Sequence, residues 1–263
     1  MKKKKIELSL VTVNYGTSEK IQKLFDSLKK YAGNIEWEWI IVDNNSAHND
    51  AEKIEHCIAQ ESSIHLLKLQ ENIGFGKAND EAVRFAQGEY IGFINPDIQI
   101  QPNCLEELLS FLVHHSRVGI ITPALQSPQG NFLENTWDFP TFWSLIKKRL
   151  FARKQKKVPT SDPHSVAWAQ GSFLIISQKL FRKLGGFDPR FFLFFEDTDL
   201  CRRCWEAGHQ VVQIPTARAF HSEHRLSGKD IFRSFLRKTF WIHVLSMIQY
   251  FWKWRGKKKP NIF

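Results

Sequence analysis

Apolar positions along the chain form two kinds of run, and the two kinds alternate. Ile6 to Val13, Trp39 to Val42, Ile64 to Leu69 and Tyr90 to Ile94 are short, continuous and rich in β-branched residues. Such runs predict strands buried on both faces, as in a parallel sheet. Between them the spacing changes to 3.6. Ser18 can cap a helix through about Tyr31, in which Ile21, Leu24, Phe25 and Leu28 recur on one face. Helices over 50–60 and 78–87 fill the next two gaps. The order β-α-β-α-β-α-β predicts an α/β fold with a mostly parallel central sheet flanked by helices.

The pattern continues with a helix from Leu105 to His114 and a strand from Val118 to Thr122. Regularity then fails. Residues 123–165 carry five prolines, aromatic pairs and a run of basic residues. So long an irregular connection is a functional or mobile segment. Strand Phe173–Ile176 and helix 178–184 follow, the helix closed by Gly185-Gly186. Strand Gln210–Ile214 leads on to His221. A last apolar and basic stretch, Ile231 to Trp254, reads as a helix.

Polar turns end three of the predicted strands: Asn14-Tyr15, Asp43-Asn44 and Asn95-Pro96-Asp97. In a sheet of this kind ligands bind at the carboxyl ends of the strands. The glycine-bearing loop Asn72 to Asn79 belongs to the same edge. Neither a G-x-G-x-x-G turn nor a Walker lysine loop is present, which argues against a dinucleotide-binding enzyme and a P-loop NTPase.

One stretch departs from both periodicities. Phe191-Phe192-Leu193-Phe194-Phe195 runs straight into Glu196, Asp197 and Asp199. A five-residue apolar run demands burial, and carboxylates beside it are drawn to the wall of a core. There their proton affinity changes, as a general base requires. Acids in a helix first turn also complement the helix dipole, and the two readings are compatible.

These residue types suit a sugar nucleotide. Its departing diphosphate is strongly anionic, and a divalent cation can neutralise it as a Lewis acid. Mg²⁺ and Mn²⁺ take carboxylate oxygen, and Mn²⁺ also accepts imidazole. Asp97 and His221 are plausible ligands, with an exposed, uninvolved histidine the alternative for His221. Asp197 and Glu196 are the candidate bases.

The ordered set of motifs resembles the family-2 glycosyltransferases of GT-A fold, bacterial rhamnosyltransferase-type members above all. Its carriers are Val11 to Tyr15, Val42 to Ser46, Asn72 to Asn79, Asn95-Pro96-Asp97, Trp168 to Ser172, Gly186-Phe187-Asp188, Phe192 to Arg203, and His221. The resemblance implies a Rossmann-like sheet and an inverting single displacement. It implies that Thr12, Asn14, Asp43, Asn72, Gly74, Asn79 and Asn95 serve the nucleotide sugar, dTDP- or UDP-linked. Asp97 would hold Mg²⁺ or Mn²⁺ with His221, Asp197 would be the base, and Trp168 and Gly171 would border a glycan or lipid-linked acceptor. Asn95 stands where many members carry the first acid of the metal motif. A role in cell-surface polysaccharide or lipopolysaccharide assembly is implied likewise.

Composition refines this picture. Across 263 residues, 43% are hydrophobic and 24% charged, enough to bury a core without disulfides. Cys201 and Cys204 sit three apart without a second pair at zinc spacing, so packing is their expected role. No signal peptide is legible, and a cytoplasmic setting is expected. The net charge of +10 is concentrated in two blocks: seven Lys/Arg from Lys147 to Lys157, and nine with one acid from Lys229 to Phe263. We therefore expect a glycosyltransferase domain over 1–228 and a basic aromatic tail over 229–263. The tail is expected to lie on the anionic inner face of the cytoplasmic membrane; a helix packed on the body is the alternative. The basic loop could close over the donor or hold an anionic acceptor. Nucleic acid is not an expected partner, since no nucleic-acid motif accompanies the charge. The rivals are such a nucleic-acid binder, an inactive scaffold of the same fold, and a nucleotidyltransferase, whose glycine-rich loop after the first strand is missing.

Overall fold

The computed structural model describes residues 5–59, 61–141, 161–222 and 238–262. The early apolar runs become β1 (Leu8–Asn14), β2 (Trp37–Asp43), β3 (Ile64–Lys68) and β4 (Tyr90–Ile94). All four are parallel neighbours, in the order β3-β2-β1-β4. Helices α1 (Ser18–Tyr31), α2 (Asp50–Ile58) and α3 (Phe75–Val83) connect them.

The sheet then becomes mixed. β5 (Ile98–Ile100), β6 (Val118–Gln126), β11 (Phe173–Ser177) and β12 (Gln210–His221) extend it to the order β3-β2-β1-β4-β11-β6-β12-β5. β11 runs antiparallel to both β4 and β6, while β12 is parallel to β6 and antiparallel to β5. Short strands β7 (Phe132–Leu133) and β9 (His164–Ser165) pair on β6 and β12. β8 (Thr136–Trp137) and β10 (Trp168–Ala169) form a separate ribbon.

Alternation along the strands makes two cores. Leu8, Leu10 and Ile41 face α1, α2 and α4 (Cys104–His114) through Leu24, Ile54 and Leu105. Val11, Ile40 and Phe93 face α3, α5 (Gln178–Leu184) and α6 (Glu196–Glu206) through Ala78, Leu180 and Leu200. The result is helix, sheet, helix in three layers. Cys201 and Cys204 are buried free thiols in the second core, and burial raises both above the ordinary thiol range.

Several boundaries differ from the sequence reading. α3 begins at Phe75, not near 78, because the Phe75 N–H is held by the Phe192 carbonyl at 2.8 Å and the helix starts from that anchor. Thr17, not Ser18, precedes α1, and Ser18 instead gives its backbone N–H to Asp50 at 3.1 Å. The strand after α4 runs four residues beyond Thr122, and Gln210–Ile214 and the segment before His221 are one strand with an irregularity between Ile214 and Arg218. Part of the supposed irregular connection is short strand. The basic run 147–157 lies outside the described residues.

The tail's described helix is α7 (Lys238–Lys253). Its inner face is docked. Tyr250 and Trp254 form a third cluster with Phe191 and Phe195, and Ser246 Oγ donates to the Leu193 carbonyl at 2.8 Å. Among the described residues, no helix is long and apolar enough to cross a membrane. Residues 231–237 of the expected helix lie outside them.

Candidate functional site

The carboxyl ends of β1 and β2 lie side by side, Asn14 opposite Asp43. Asn14 is fully buried and acts as a hub. Its amide nitrogen donates to Asp43 Oδ1 and Asp50 Oδ2, both at 2.8 Å, and its Oδ1 accepts from Thr17 Oγ1, also at 2.8 Å. Thr12 is equally enclosed, and its hydroxyl accepts the Trp39 indole N–H at 2.9 Å. Both side chains brace the strand ends from below. Asp43 also turns the chain at Ser46, whose N–H it accepts at 3.1 Å.

Asn44 links this edge to the glycine loop. Its amide donates to Asn72 Oδ1 at 2.9 Å, and its Oδ1 accepts the Ile73 N–H at 3.0 Å. Asn72 Oδ1 also accepts the Gly74 N–H at 3.0 Å. Gly74 has φ +87°, and a Cβ there would lie 2.4 Å from the Phe192 carbonyl oxygen. The glycine is therefore needed twice, for its backbone angle and for the close approach. Asn79 turns its amide back into α3, donating to the Phe75 carbonyl at 2.9 Å.

The loop thus rests on the Phe-rich stretch that precedes the acids. Phe194 and Phe195 both hold positive φ, 71° and 68°. Two successive non-glycine residues in this region cost about 1–2 kcal/mol each. Packing of Phe195 against Tyr250 and His243 offsets that cost. The bend delivers Glu196 and Asp197 into the first turn of α6, both buried.

Asp197 is fully partnered. Oδ2 accepts the Gly171 N–H at 2.9 Å, and Oδ1 accepts the Thr198 N–H at 2.6 Å and its hydroxyl at 3.2 Å. Burial still holds Asp197 above the ordinary carboxylate range, although these bonds pull the other way. Glu196 Oε2 is buried without a hydrogen-bond partner. Burial and the adjacent Asp197 charge push Glu196 well above its ordinary value. Hydrogen bonds to the ionised form therefore favour Asp197 over Glu196 within the pair.

Gly171 also joins Asp197 to the third strand end. The next residue, Ser172, accepts the Asn95 N–H on its carbonyl at 2.8 Å, two residues before Asp97. A Cβ on Gly171 would lie 3.3 Å from Asp197 Cβ, so a larger residue would press on the acid. The Trp168 ring lies tilted against Trp137, ring centroids 4.6 Å apart, and its indole donates to the Asp138 carbonyl at 3.1 Å.

Asp97 and His221 meet because β5 pairs antiparallel with the end of β12. His221 Nε2 is 3.3 Å from Asp97 Oδ1, and Lys20 Nζ is 3.7 Å from Oδ2. Burial alone would raise Asp97, but the His221 hydrogen bond and charge, with Lys20, hold it below the ordinary carboxylate range. One carboxylate and one imidazole converging on a point suit a Mg²⁺ or Mn²⁺ whose remaining ligands come from substrate phosphate. Among the described residues no group of three His, Cys, Asp or Glu could form a complete cage. Asn95 adds no charge there.

Lys20 was missed from the sequence, though its place in the first turn of α1 puts it beside the β1 end. Asp50 was missed too. It anchors both Asn14 and Ser18, a part that only the fold reveals. Two clefts of about 520 and 470 Å³ lie at α4 and at α1, and no candidate residue lines either.

A sheet in this strand order, with Asp43 closing β2, Asp97 in the turn after β4 and a buried acid pair opening α6 beside them, is the GT-A fold. Residues 9–185 match the family described as glycosyl transferase family 2, and the chain belongs to that family. Among curated proteins it is 26% identical over 258 residues to the rhamnosyltransferase WbbL of Escherichia coli K12, covering 92% of this chain and 91% of the relative. It is 26% identical over 248 residues to the N-acetylglucosaminyl-diphospho-decaprenol L-rhamnosyltransferase of Mycobacterium tuberculosis, covering 85% and 78%. Two solved structures share the fold at a TM-score of 0.67 each. GalNAc-T7 with UDP, GalNAc and Mn²⁺ is 17% identical, the match covering 83% of this chain and 44% of that one. The mannosyltransferase PcManGT of Pyrobaculum calidifontis with GDP-Man and Mn²⁺ is 16% identical, covering 97% and 66%.

Proposed function

We propose that this glycosyltransferase moves a sugar, rhamnose or a hexose, from a dTDP- or UDP-linked donor to a hydroxyl of a glycan or lipid-linked acceptor. It does so with inversion, in cell-surface polysaccharide or lipopolysaccharide synthesis. The acceptor oxygen attacks the anomeric carbon while the bond from that carbon to the phosphate oxygen breaks. The nucleoside diphosphate leaves with the bonding electrons, and the acceptor proton passes to Asp197.

The observation that carries this reading is the Gly171–Asp197 hydrogen bond. It holds an acid of raised proton affinity beside the segment that leads to Asp97. Asp43, Asn72, Gly74 and Asn95 border the donor, Thr12, Asn14 and Asn79 brace that border, and Trp168 and Gly171 face the acceptor. Asp97 and His221 would hold Mg²⁺ or Mn²⁺. Such an ion supplies Lewis-acid neutralisation of the departing diphosphate. Lys20 adds a fixed positive charge at the same place. Two relatives support the sugar and the acceptor. Both are named as rhamnosyltransferases, and the mycobacterial name specifies a lipid-diphosphate acceptor. With an acceptor of that kind the reaction would take place at a membrane, in our reading the inner face of the cytoplasmic membrane.

The test is transfer from dTDP-rhamnose and from UDP-hexoses to a synthetic N-acetylglucosaminyl-diphospho-lipid, with the product's anomeric configuration read by NMR. We expect an inverted product from one donor. Asp197→Asn should lower turnover by about 100-fold or more while donor binding persists. A retained configuration, or full turnover in Asp197→Asn, would refute the assignment.

A further inference from the structure

α7 has two apolar faces, and among the described residues one of them packs on the body. Ser246, Met247, Tyr250 and Trp254 turn inward against the Phe191–Phe195 stretch, and the His243 ring meets Phe194 and Phe195 at the rim. On the other side Trp241, Leu245, Ile248 and Trp252 are 59%, 55%, 56% and 61% exposed. Their spacing of four, three and four puts them in one line along the helix. Lys238 lies three residues before this line, and Arg255 three residues after it, with its guanidinium 5.1 Å from the Trp252 ring centroid. The line therefore reads cation, indole, two aliphatics, indole, cation. It is about 16 Å long between the indoles, at 1.5 Å per residue.

We propose that this outer face of α7 seats the protein on an anionic lipid surface, with the helix lying flat. Indoles at both ends suit the headgroup level, where an apolar ring with a polar N–H is best placed, and the aliphatic pair between them suits the acyl boundary. From Lys238 to Phe263 the chain has six Lys/Arg and no acid. Arg255, Lys257 and Lys258 are exposed at the end of the helix, Arg255 against the stripe residue Trp252. Each such cation near an anionic membrane adds a salt-screened attraction. The same charges oppose the alternative occupant, a second copy of this chain, because two such faces would repel. The docked inner face keeps the helix on the body, so insertion is shallow.

The seat also reaches the chemistry. The inner side of α7 holds Asp199 through Lys253 and Trp254, two residues after Asp197 on α6. Lipid contact on one side of α7 thus bears on the helix that carries the acids.

Co-sedimentation of the full chain with vesicles tests the proposal, and its outcome does not depend on whether sugar transfer is found. We expect binding to mixed phosphatidylcholine–phosphatidylglycerol vesicles, weakened by salt, and little binding to phosphatidylcholine alone. Leu245→Glu with Ile248→Glu should reduce binding by at least about tenfold, at unchanged Tm and circular dichroism. Trp241→Ser with Trp252→Ser is the second variant, and it should bind weakly while its mass by light scattering stays that of the wild type. Equal sedimentation of folded variants would overturn the proposal. So would a wild-type dimer that either variant converts to monomer, since the face would then be an interface between copies.

Discussion

Lys253 Nζ lies 2.6 Å from Asp199 Oδ1 and 2.6 Å from Asp188 Oδ2, so one lysine from the end of α7 bridges two acids of the body. Asp199 is fully buried and also takes Arg203 at 2.8 Å and the Trp254 indole at 2.9 Å. The tail helix is thus locked to the first turn of α6, the turn that presents Glu196 and Asp197. Lys253→Ala leaves Asp199 with less compensation for its burial. We predict a loss of about 2 kcal/mol in stability, and a fall in kcat larger than the change in donor KM. Chemical denaturation and steady-state kinetics check both, and Lys253→Arg should recover part of each.

Gly74 sits at φ +87° with the Phe192 carbonyl where its Cβ would be. The obstacle is backbone, so it cannot swing aside. Gly74→Ala should cost roughly 2–3 kcal/mol, combining the backbone angle with the forced shift. It should also weaken nucleotide binding, because the loop and the Phe192–Asp197 stretch would separate. Gly130→Ala is the control. It shares a positive φ, but nothing lies within 4 Å of its Cβ, and it should leave nucleotide binding unchanged.

Asp80 joins α3 to the Gly186-Phe187 turn by accepting the Phe187 N–H at 3.0 Å. Burial pushes its carboxyl up to about 6, against 3.8 for an ordinary aspartate, although the Phe187 bond and the Arg203 charge pull it down. The folded state therefore binds this proton more tightly than the unfolded chain. Asp80 favours folding most below the unfolded value, and that advantage is lost as pH rises from about 4 through about 6. The full excursion is at most about 3 kcal/mol. Asp80→Asn keeps an acceptor for Phe187 but cannot titrate. The stability difference between wild type and Asp80→Asn should therefore move against the wild type across that window. A pH-independent difference in urea unfolding would count against it.

Much of the nucleotide half was legible in the sequence. β1 and β2 lie between parallel neighbours and β4 between parallel β1 and antiparallel β11, all in the sheet interior, so their apolar runs are continuous and hard to mistake. The turns that end them are polar and stand at the edge where the proposed donor would lie. What failed to show was long-range pairing. β5 is three residues long, and only its pairing with β12 brings Asp97 to His221. β11 enters antiparallel between β4 and β6, which no local period announces. Phe75 reads as loop because Gly74 and Gly76 flank it, yet it starts α3 through a bond to Phe192. The acids beside the phenylalanine run were visible as a conflict between burial and charge. The left-handed pair Phe194-Phe195 that resolves that conflict was not, since neither residue type favours it. The tail showed its mixed character, but its division into a docked and an outward face depends on where Phe191 and Phe195 lie.

In the proposed reaction Asp97 and His221 anchor the diphosphate end of a nucleotide sugar, with Asp197 standing apart as the base. Thermal stability with dTDP, UDP, GDP and their sugars, with and without Mn²⁺ or Mg²⁺, tests it on wild type, Asp97→Ala and Asp197→Asn. Selective binding raises Tm by mass action. We expect a metal-dependent rise with one nucleotide that is lost in Asp97→Ala and kept in Asp197→Asn. No rise with any nucleotide in folded wild type, or an equal rise in Asp97→Ala, would contradict it.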